Sequence, residues 1–461
     1  MVTQVRADTT SSTSSKQTLG FWTTVALVIG NMIGSGIFLL PASLAPYGGL
    51  SLVGWLVSAT GAILLALVFA RLSRLDPAAG GPYAYTRVAF GDLAGFLVAW
   101  GYWISMWSSL GALAVAFVGY LDPFIPGIVR TPLSAATLAV VTVWLVIAVN
   151  IAGVRHAGRT QLATTVLKTL PLFGVGLVGL FYITPSYLVP QQTDLGTLSS
   201  AVPAVVTLTL WAFLGLESAT VPAGSIDDPA RTIPRATIVG TVLTAIIYIG
   251  SSVAVMGLLS PDVLSKSTAP FADAARLLGG ERAAQAVALG AALSCFGALN
   301  GWVLLVGQLP MAVARDGLFP AVFGRVSGRG TPAAGMLIAG VLTTLLIAMN
   351  YTRGLVELFT FIILLSTLNT LIPYLFSSLA VFMQSPGRAP GALAAGKVTA
   401  GAAFVYSVYA VGGAGAETVY WGFLLIVCGL PVYVAMKGSG RGFRTGVQHK
   451  RSHDGSAVNP S

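Results

Sequence analysis

Residues 28–41, VIGNMIGSGIFLLP, place polar and helix-breaking residues inside an apolar run long enough to cross a bilayer. Glycine is a weak helix former, and unpaired backbone in hydrocarbon is costly. Unwinding here exposes amide donors and carbonyl acceptors, which suit the carboxylate and ammonium of an amino acid. The alternative is close helix packing, since Gly30 and Gly34 have the GxxxG spacing. The residues predicted to bind substrate at this break are Asn31, Ile33, Gly34, Ser35 and Gly36.

Glu217 is the one acidic residue near the middle of a predicted span, within the sequence WAFLGLESA. An ionisable side chain inside a membrane is expensive unless it is paired or protonated, so it is a functional candidate by default. We predict that Glu217 takes up and releases protons. A neutral, hydrogen-bonded glutamate that braces two broken helices is the alternative, and both can hold.

Lys168 lies about nine residues into another apolar run, about 13 Å deep at 1.5 Å per residue. It can extend its ammonium to the membrane surface. Alternatively it is a buried amine that loads and unloads a proton, and thus a second proton-coupling candidate.

Aromatic residues accompany these positions in the predicted spans. A ring face suits a cation or a planar guanidinium, and a bulky ring can also close a pathway. For each ring, packing in the core or against lipid is the alternative. The aromatic candidates are Tyr102, Trp211, Trp302 and Tyr374.

The composition assigns the chain to the membrane. Its 461 residues are 55% hydrophobic and 9% charged, against about 25% charged residues in soluble domains. About 20 apolar residues span a bilayer. On that measure we count twelve segments: 20–41, 48–72, 84–120, 132–153, 160–184, 201–223, 233–259, 284–314, 333–350, 355–383, 396–413 and 418–436. The third is long enough to be bent or tilted.

The residues that give the net charge of +10 are distributed unequally between the two sides of the membrane. With twelve spans both termini lie on one side, and twenty of the 25 Lys and Arg residues fall on that side. The positive-inside rule makes this side cytoplasmic, so the charge reports topology and requires no nucleic-acid partner. We expect a multi-pass protein of the cytoplasmic membrane with a disordered tail at 1–19 and a basic tail at 437–461.

Interruptions in segments 1 and 6 occupy corresponding places five spans apart. Such pairs are typical of transporters built from inverted repeats. We predict an all-α fold with a first repeat over 20–184, a second over 201–383, and two additional helices over 396–436.

Other function classes lack their signatures. The sequence has no HExxH, GxSxG or P-loop motif, and two cysteines and three histidines form no metal-binding pattern. We therefore expect neither an enzyme nor a resident metal or cofactor. A channel would need a continuous polar stripe, and we expect none along any span.

Several sequence blocks, in order over residues 20–436, resemble the amino acid–polyamine–organocation superfamily. They include GNMIGSGIFLLPASLA, LDPAAGGPYAYTRVAFG, LWAFLGLESATVPAG, DDPARTIPRATIVG and DGLFPAVFGRV. The pattern is most similar to the basic amino acid/polyamine antiporter branch, especially arginine/agmatine antiporters. The resemblance implies a LeuT-like five-plus-five repeat, alternating access and a homodimer.

The resemblance also implies roles for individual residues. Trp211 matches a gating and stacking tryptophan, Trp302 a tryptophan that stacks on the guanidinium, and Glu217 the proton-sensing glutamate. Ser366 matches a polar contact at the far end of the substrate. The matched gate residues are Tyr83, Tyr102, Trp211 and Tyr374.

The chain departs from the antiporter pattern at three positions. Leu110 replaces an asparagine, Met106 replaces a cysteine, and Lys168 replaces a small apolar residue in a manner similar to proton-coupled relatives. Two functions therefore stay open: exchange of cationic amino acids and their decarboxylated amines, or proton symport of neutral or broad-range amino acids through Lys168.

Overall fold

The computed structural model describes residues 19–75, 81–152, 169–189, 195–220, 226–328, 330–383 and 390–438. Within these ranges the protein is helical, and its sole β-type pairing is a bridge between Leu19 and Ile226. The helices are α1 Phe21–Met32, α2 Ser35–Leu44, α3 Leu50–Leu75, α4 Pro82–Phe90, α5 Asp92–Gly119, α6 Pro132–Ala152, α7 Thr169–Gly179, α8 Leu195–Trp211, α9 Pro229–Leu258, α10 Pro261–Leu264, α11 Pro270–Arg315, α12 Ala333–Asn350, α13 Leu355–Ala380, α14 Pro390–Gly412, α15 Ala416–Val427 and α16 Gly429–Gly438.

The described helices confirm a multi-spanning membrane protein. Ten stretches are long and apolar enough to cross a bilayer, and two shorter apolar helices, α7 and Leu198–Trp211, lie on predicted segments 5 and 6. Each of the twelve predicted segments thus contains one of these apolar helical stretches. The described part of segment 5 begins at Thr169, so Lys168 lies outside the described residues.

Segment 1 is broken at the predicted place. The α1 helix ends at Met32 and α2 begins at Ser35, with Ile33 and Gly34 between them. Gly34 has φ −135° and ψ −135°, far from helical values. The side chain of Ser35 is not among those described.

Segment 6 is broken as well. The α8 helix ends at Trp211, turns follow, and a single 3-10 turn covers Ser218–Thr220. Gly215 has φ +101°, a conformation that side chains with a Cβ rarely adopt. The two interruptions that define the inverted-repeat prediction are therefore both present.

Segment 3 bends at Gly91, which the sequence expectation of one segment over 84–120 did not locate. Gly91 has φ +83° and separates α4 from α5. The left-handed glycine ends one helix and starts the next, so only α5 is the span.

The α5 helix forms the centre of the bundle. Its most apolar window is 94% buried, whereas that of the final span, Ala416–Gly438, is 11% buried. It packs against α11 and α13, and also contacts α2. A helix buried on all sides must place its polar residues against other helices, which makes α5 a wall of the internal site.

One face of α9 carries a row of polar side chains. Buried hydroxyl side chains are spaced three or four residues apart along residues 237–252, about half of the helix. The hydrophobic residues between them dominate the composition and conceal the stripe in a residue count. Its members are Thr237, Thr241, Thr244, Tyr248 and Ser252.

Candidate functional site

Glu217 lies at the centre of the site, fully buried in the break of segment 6. Its Oε1 accepts a hydrogen bond from the Tyr102 hydroxyl, and its Oε2 accepts one from Tyr374 at 2.7 Å. Tyr102 comes from α5 and Tyr374 from α13, so three separate spans meet at this carboxylate.

These contacts tie one carboxyl group to two helices. A carboxylate accepts hydrogen bonds at both oxygens, whereas a protonated carboxyl carries a donor on one of them. The hydroxyls of Tyr102 and Tyr374 thus each find an acceptor on the same side chain. The sequence predicted all three residues as functional but not that they contact one another.

The two helix breaks lie against each other. A Cβ placed on Gly215 would lie 3.1 Å from the backbone oxygen of Asn31, which leaves room for glycine only. The last turn of α1 therefore touches the unwound part of segment 6. Backbone groups from both breaks are brought to one place, as the sequence predicted.

Trp211 covers the start of α2. A Cβ on Gly36 would lie 3.1 Å from both Cδ1 and Nε1 of the Trp211 ring. The ring is 7% exposed, and its N–H has no hydrogen-bond partner within the described residues. Because residue 36 is a glycine, the indole of Trp211 can approach the start of α2. The indole N–H is free to donate a hydrogen bond to a ligand.

Trp302 lies on α11, the helix that closes another side of the break. A Cβ on Gly34 would lie 3.1 Å from Ala298 Cβ and 3.3 Å from Leu113 of α5. Ala298 precedes Trp302 by one helical turn, and Trp302 is 8% exposed. The structure therefore brings the helix of Trp302 and the break of segment 1 together.

The face of α5 that reaches both breaks also carries two residues, Met106 and Ser109, that were not among the predicted site residues. Tyr102 contacts Glu217 and Leu113 lies beside Gly34, eleven residues along the helix. Met106 and Ser109 follow Tyr102 by four and seven residues, so they lie on the same face between these two points. Both are buried.

Ser366 takes part in a buried hydroxyl cluster between α13 and α5. Its hydroxyl lies 2.8 Å from that of Ser109 and 3.0 Å from that of Ser105, and Thr370 also contacts Ser105. Here the Ser366 hydroxyl joins two helices. The paired i, i+4 spacing of Ser105 with Ser109 and of Ser366 with Thr370 was the signal available in the sequence.

Tyr83 belongs to a separate network on α4. Its hydroxyl donates to Asp316 Oδ2 at 2.9 Å and accepts from Arg87 at 3.2 Å. Arg87 also forms ion pairs with Asp92 at 3.0 Å and Asp316 at 3.2 Å. Burial, reinforced by the bond to Asp316, holds the pKa of the Tyr83 hydroxyl well above its ordinary value, so it stays a neutral donor. The quoted motif DGLFP contains Asp316, but its role was not predicted.

Within the described ranges no group of three or more His, Cys, Asp or Glu residues is arranged to hold a metal ion. Asn31, Gly34, Gly36, Trp211 and Glu217 are brought together at the two breaks, and Trp302 lies on a helix that contacts them. Tyr83 lies in the network just described.

A bundle of membrane spans with two helices interrupted around a buried carboxylate defines a membrane transporter. Residues 19–386 match the family model described as amino acid permease. The chain belongs to this family, which has the LeuT-like fold of the amino acid–polyamine–organocation superfamily, and it is a transporter and not an enzyme.

Curated relatives fall within the basic amino acid/polyamine antiporter branch. The chain is 36% identical over 373 residues to the cadaverine/lysine antiporter of Escherichia coli (strain K12), covering 79% of this chain and 83% of that protein. It is 32% identical to the putrescine transporter PotE of Haemophilus influenzae (strain ATCC 51907 / DSM 11121 / KW20 / Rd), covering 88% and 94%. It is 34% identical to a Bacillus subtilis (strain 168) protein provisionally named an arginine/ornithine antiporter, covering 90% and 96%.

Proposed function

We propose that this transporter exchanges cationic amino acids for the amines formed by their decarboxylation, through alternating access. The observation that carries the proposal is the meeting of the two helix breaks beside Glu217, Tyr102 and Tyr374. The printed names of the relatives pair cadaverine with lysine, name putrescine alone, or pair arginine with ornithine, which supports this substrate class without selecting one member.

The two ends of a substrate backbone match the two kinds of free backbone groups. The first amides of α2, at Ser35 and Gly36, have no acceptor within their own helix and suit a carboxylate. The last carbonyls of α1, around Asn31, suit an ammonium group. A decarboxylated amine lacks the carboxylate and leaves the α2 amides unfilled.

Trp211 and Trp302 bound the substrate in this proposal. The Trp211 ring lies directly against Gly36 and closes over the backbone of the substrate, while Trp302 flanks its cationic side chain. The Ser366 cluster offers neutral hydroxyls to the far end of that chain. Tyr83, Tyr102, Trp211 and Tyr374 then act as gates.

Glu217 makes the cycle sensitive to protons. Protonation weakens its acceptance of one tyrosine hydrogen bond and thereby releases either α5 or α13 from the break. Proton symport through Lys168 is the competing function. Lys168 lies outside the described residues, so the preference for exchange rests on the substrates that the names of the relatives give.

The distribution of Lys and Arg supports an orientation with both termini in the cytoplasm. We propose residence in the bacterial cytoplasmic membrane, two repeats over 20–184 and 201–383, and assembly as a homodimer.

Reconstitution into proteoliposomes tests the function. Vesicles loaded with unlabelled lysine, arginine, ornithine, cadaverine, agmatine or putrescine are given labelled lysine or arginine outside. We expect uptake only when the vesicles contain a counter-substrate. Uptake into empty vesicles driven by a pH gradient would instead establish symport and overturn exchange.

A further inference from the structure

One face of α9 carries five buried hydroxyl groups that form no hydrogen bond with any part of the described chain. They are fully buried. Successive members are four, three, four and four residues apart, which places them along one stripe of the helix. The five residues are Thr237, Thr241, Thr244, Tyr248 and Ser252.

These groups differ from other buried hydroxyls of the same protein. Thr209, Ser251 and Thr367 each donate to the carbonyl four residues earlier, at 2.7 Å. The stripe residues do not make this bond. Since a buried polar group without a partner is costly, five such groups along one helix face indicate a polar ligand between the helices.

Two polar groups on elements that pack against α9 are equally unpaired among the described residues. They are the indole N–H of Trp55 on α3 and the hydroxyl of Ser218. The Trp55 ring lies 5.7 Å from that of Tyr248, and the Ser218–Thr220 turn packs against α9. Phe213, in the same break, lies 5.6 Å from Tyr248.

The relative direction of the chains places Ser218 along the stripe. Segment 6 and α9 are consecutive spans and run antiparallel. Because Phe213 meets Tyr248, Ser218 lies toward the end of α9 that carries Thr244 and Thr241. Ser218 directly follows Glu217, so the turn that packs against α9 begins at the residue beside the buried carboxylate.

The chemistry of the stripe selects its ligand. Hydroxyls both donate and accept hydrogen bonds, and the stripe itself contains no charged side chain to balance an ion. Water satisfies such groups at the lowest cost in a buried polar site.

We propose that this face of α9, with Trp55 and Ser218, holds a file of water molecules that carries protons to and from Glu217 separately from the substrate. Among the described residues, the titratable groups that face Glu217 are Tyr102 and Tyr374. The role in proton movement rests on the proposed function, whereas the presence of the water file does not.

Radiolytic hydroxyl-radical labelling in oxygen-18 water, read by mass spectrometry, tests the water file without a transport assay. Buried side chains are modified rapidly only where water lies beside them. We expect Tyr248 and Trp55 to be labelled although both are fully buried. Tyr120 is the matched control, because it is equally buried but both of its hydrogen bonds are made within the protein. Labelling of Tyr248 no stronger than that of Tyr120 would overturn the proposal.

The double substitution Thr241→Val and Thr244→Val removes two hydroxyls while keeping the side-chain shape. We expect labelling of Tyr248 to fall about tenfold, which corresponds to about 1.4 kcal/mol of lost water affinity. Thr367→Val, which removes an internally bonded hydroxyl, should leave it unchanged. Equal labelling of Tyr248 in the double variant and the wild type would show that these hydroxyls hold no water file. Size-exclusion profiles establish that both proteins are folded.

The same double variant separates the proton route from transport itself. In proteoliposomes, we expect counter-substrate exchange at fixed pH to persist while the response of exchange to a sudden pH change slows. An unchanged response, together with lost labelling of Tyr248, would refute the proton route. Failure of exchange in the wild-type protein would refute the proposed function and leave the labelling result standing.

Discussion

Glu217 has no charged partner among the described residues, and both of its oxygens accept hydrogen bonds from tyrosines. Among the described residues, no cation therefore neutralises the Glu217 carboxylate. Hydrogen bonds to a charged acceptor in a low-dielectric interior are strong. In the proposed cycle, one proton on Glu217 alters the contacts of two helices.

Glu217→Gln should remove the dependence of exchange on pH. The amide keeps the shape of the side chain and one acceptor oxygen, but it cannot change its protonation state. Exchange measured between pH 5 and pH 8 should then be flat and slower than in the wild type at its best pH. Glu357→Gln, at an exposed site on α13, is the control and should keep the wild-type profile. An unaltered profile in Glu217→Gln would remove this residue from proton coupling.

Trp302→Ala should abolish most uptake while expression stays normal. The ring flanks the proposed site, and removing an aromatic face from a buried cation site costs about 2 kcal/mol, about a thirtyfold loss of affinity. Trp421→Ala changes a residue that is 40% exposed on the last span and should have little effect. Transport kinetics in Trp302→Ala equal to those of the control would remove the stacking role.

At the scale of elements, Tyr120 joins three helices around the outer part of the broken span. Its hydroxyl donates to the backbone oxygen of Phe38 on α2 at 2.7 Å and accepts from the amide of Phe271 on α11 at 3.3 Å. The rings of Phe38 and Phe271 lie 5.5 Å apart. The half-helix α2 is thus held to its neighbours by one side chain, Tyr120, directly after the end of α5.

Tyr120→Phe should lower the stability of the folded protein. The substitution removes one hydrogen-bond partner from the buried backbone oxygen of Phe38 and one from the amide of Phe271. We expect this to lower the free energy of unfolding by about 1–3 kcal/mol. Thermal unfolding in detergent measures the effect, with Tyr409→Phe at a 42% exposed position as control. Equal unfolding temperatures for the two variants would show that Tyr120 does not restrain α2.

Some elements could be predicted from local sequence and others could not. The breaks at Ile33–Gly34 and after Trp211 were predictable, because glycines and polar residues inside apolar runs act on the backbone directly. The length of segment 3 allowed for a bend, but its position at Gly91 was not predicted, since a glycine does not reveal from sequence that it adopts a left-handed conformation. The bonds of Tyr102 and Tyr374 to Glu217 join residues 115 and 157 positions apart, and local patterns carry no such pairing.

At the scale of the whole molecule, the apolar composition dictates a bundle of spans, and the distribution of basic residues supports the proposed orientation. The burial of the spans differs in the same bundle. The α5 helix is the most buried span, and the last span packs little against the other helices. The membrane surrounds the outer face, so polar residues such as Ser105, Ser109 and Ser366 are buried and hydrogen-bond to one another inside the bundle.

Fusion reporters should place both termini in the cytoplasm. Alkaline phosphatase fused after Gly438 should be inactive and a fluorescent protein at the same place should be bright, because the positive-inside bias retains this end. Phosphatase fused after Ser265, next to Lys266 in the loop before α11, should be active. The reverse pattern would invert the topology and the proposed direction of exchange.

An experimentally determined structure with bound lysine tests the central claim most directly. We expect its carboxylate at the first amides of α2, its ammonium at the last carbonyls of α1, and the Trp211 ring over its backbone. Lysine bound away from these two breaks, or segments 1 and 6 as continuous, fully hydrogen-bonded helices around it, would contradict the account.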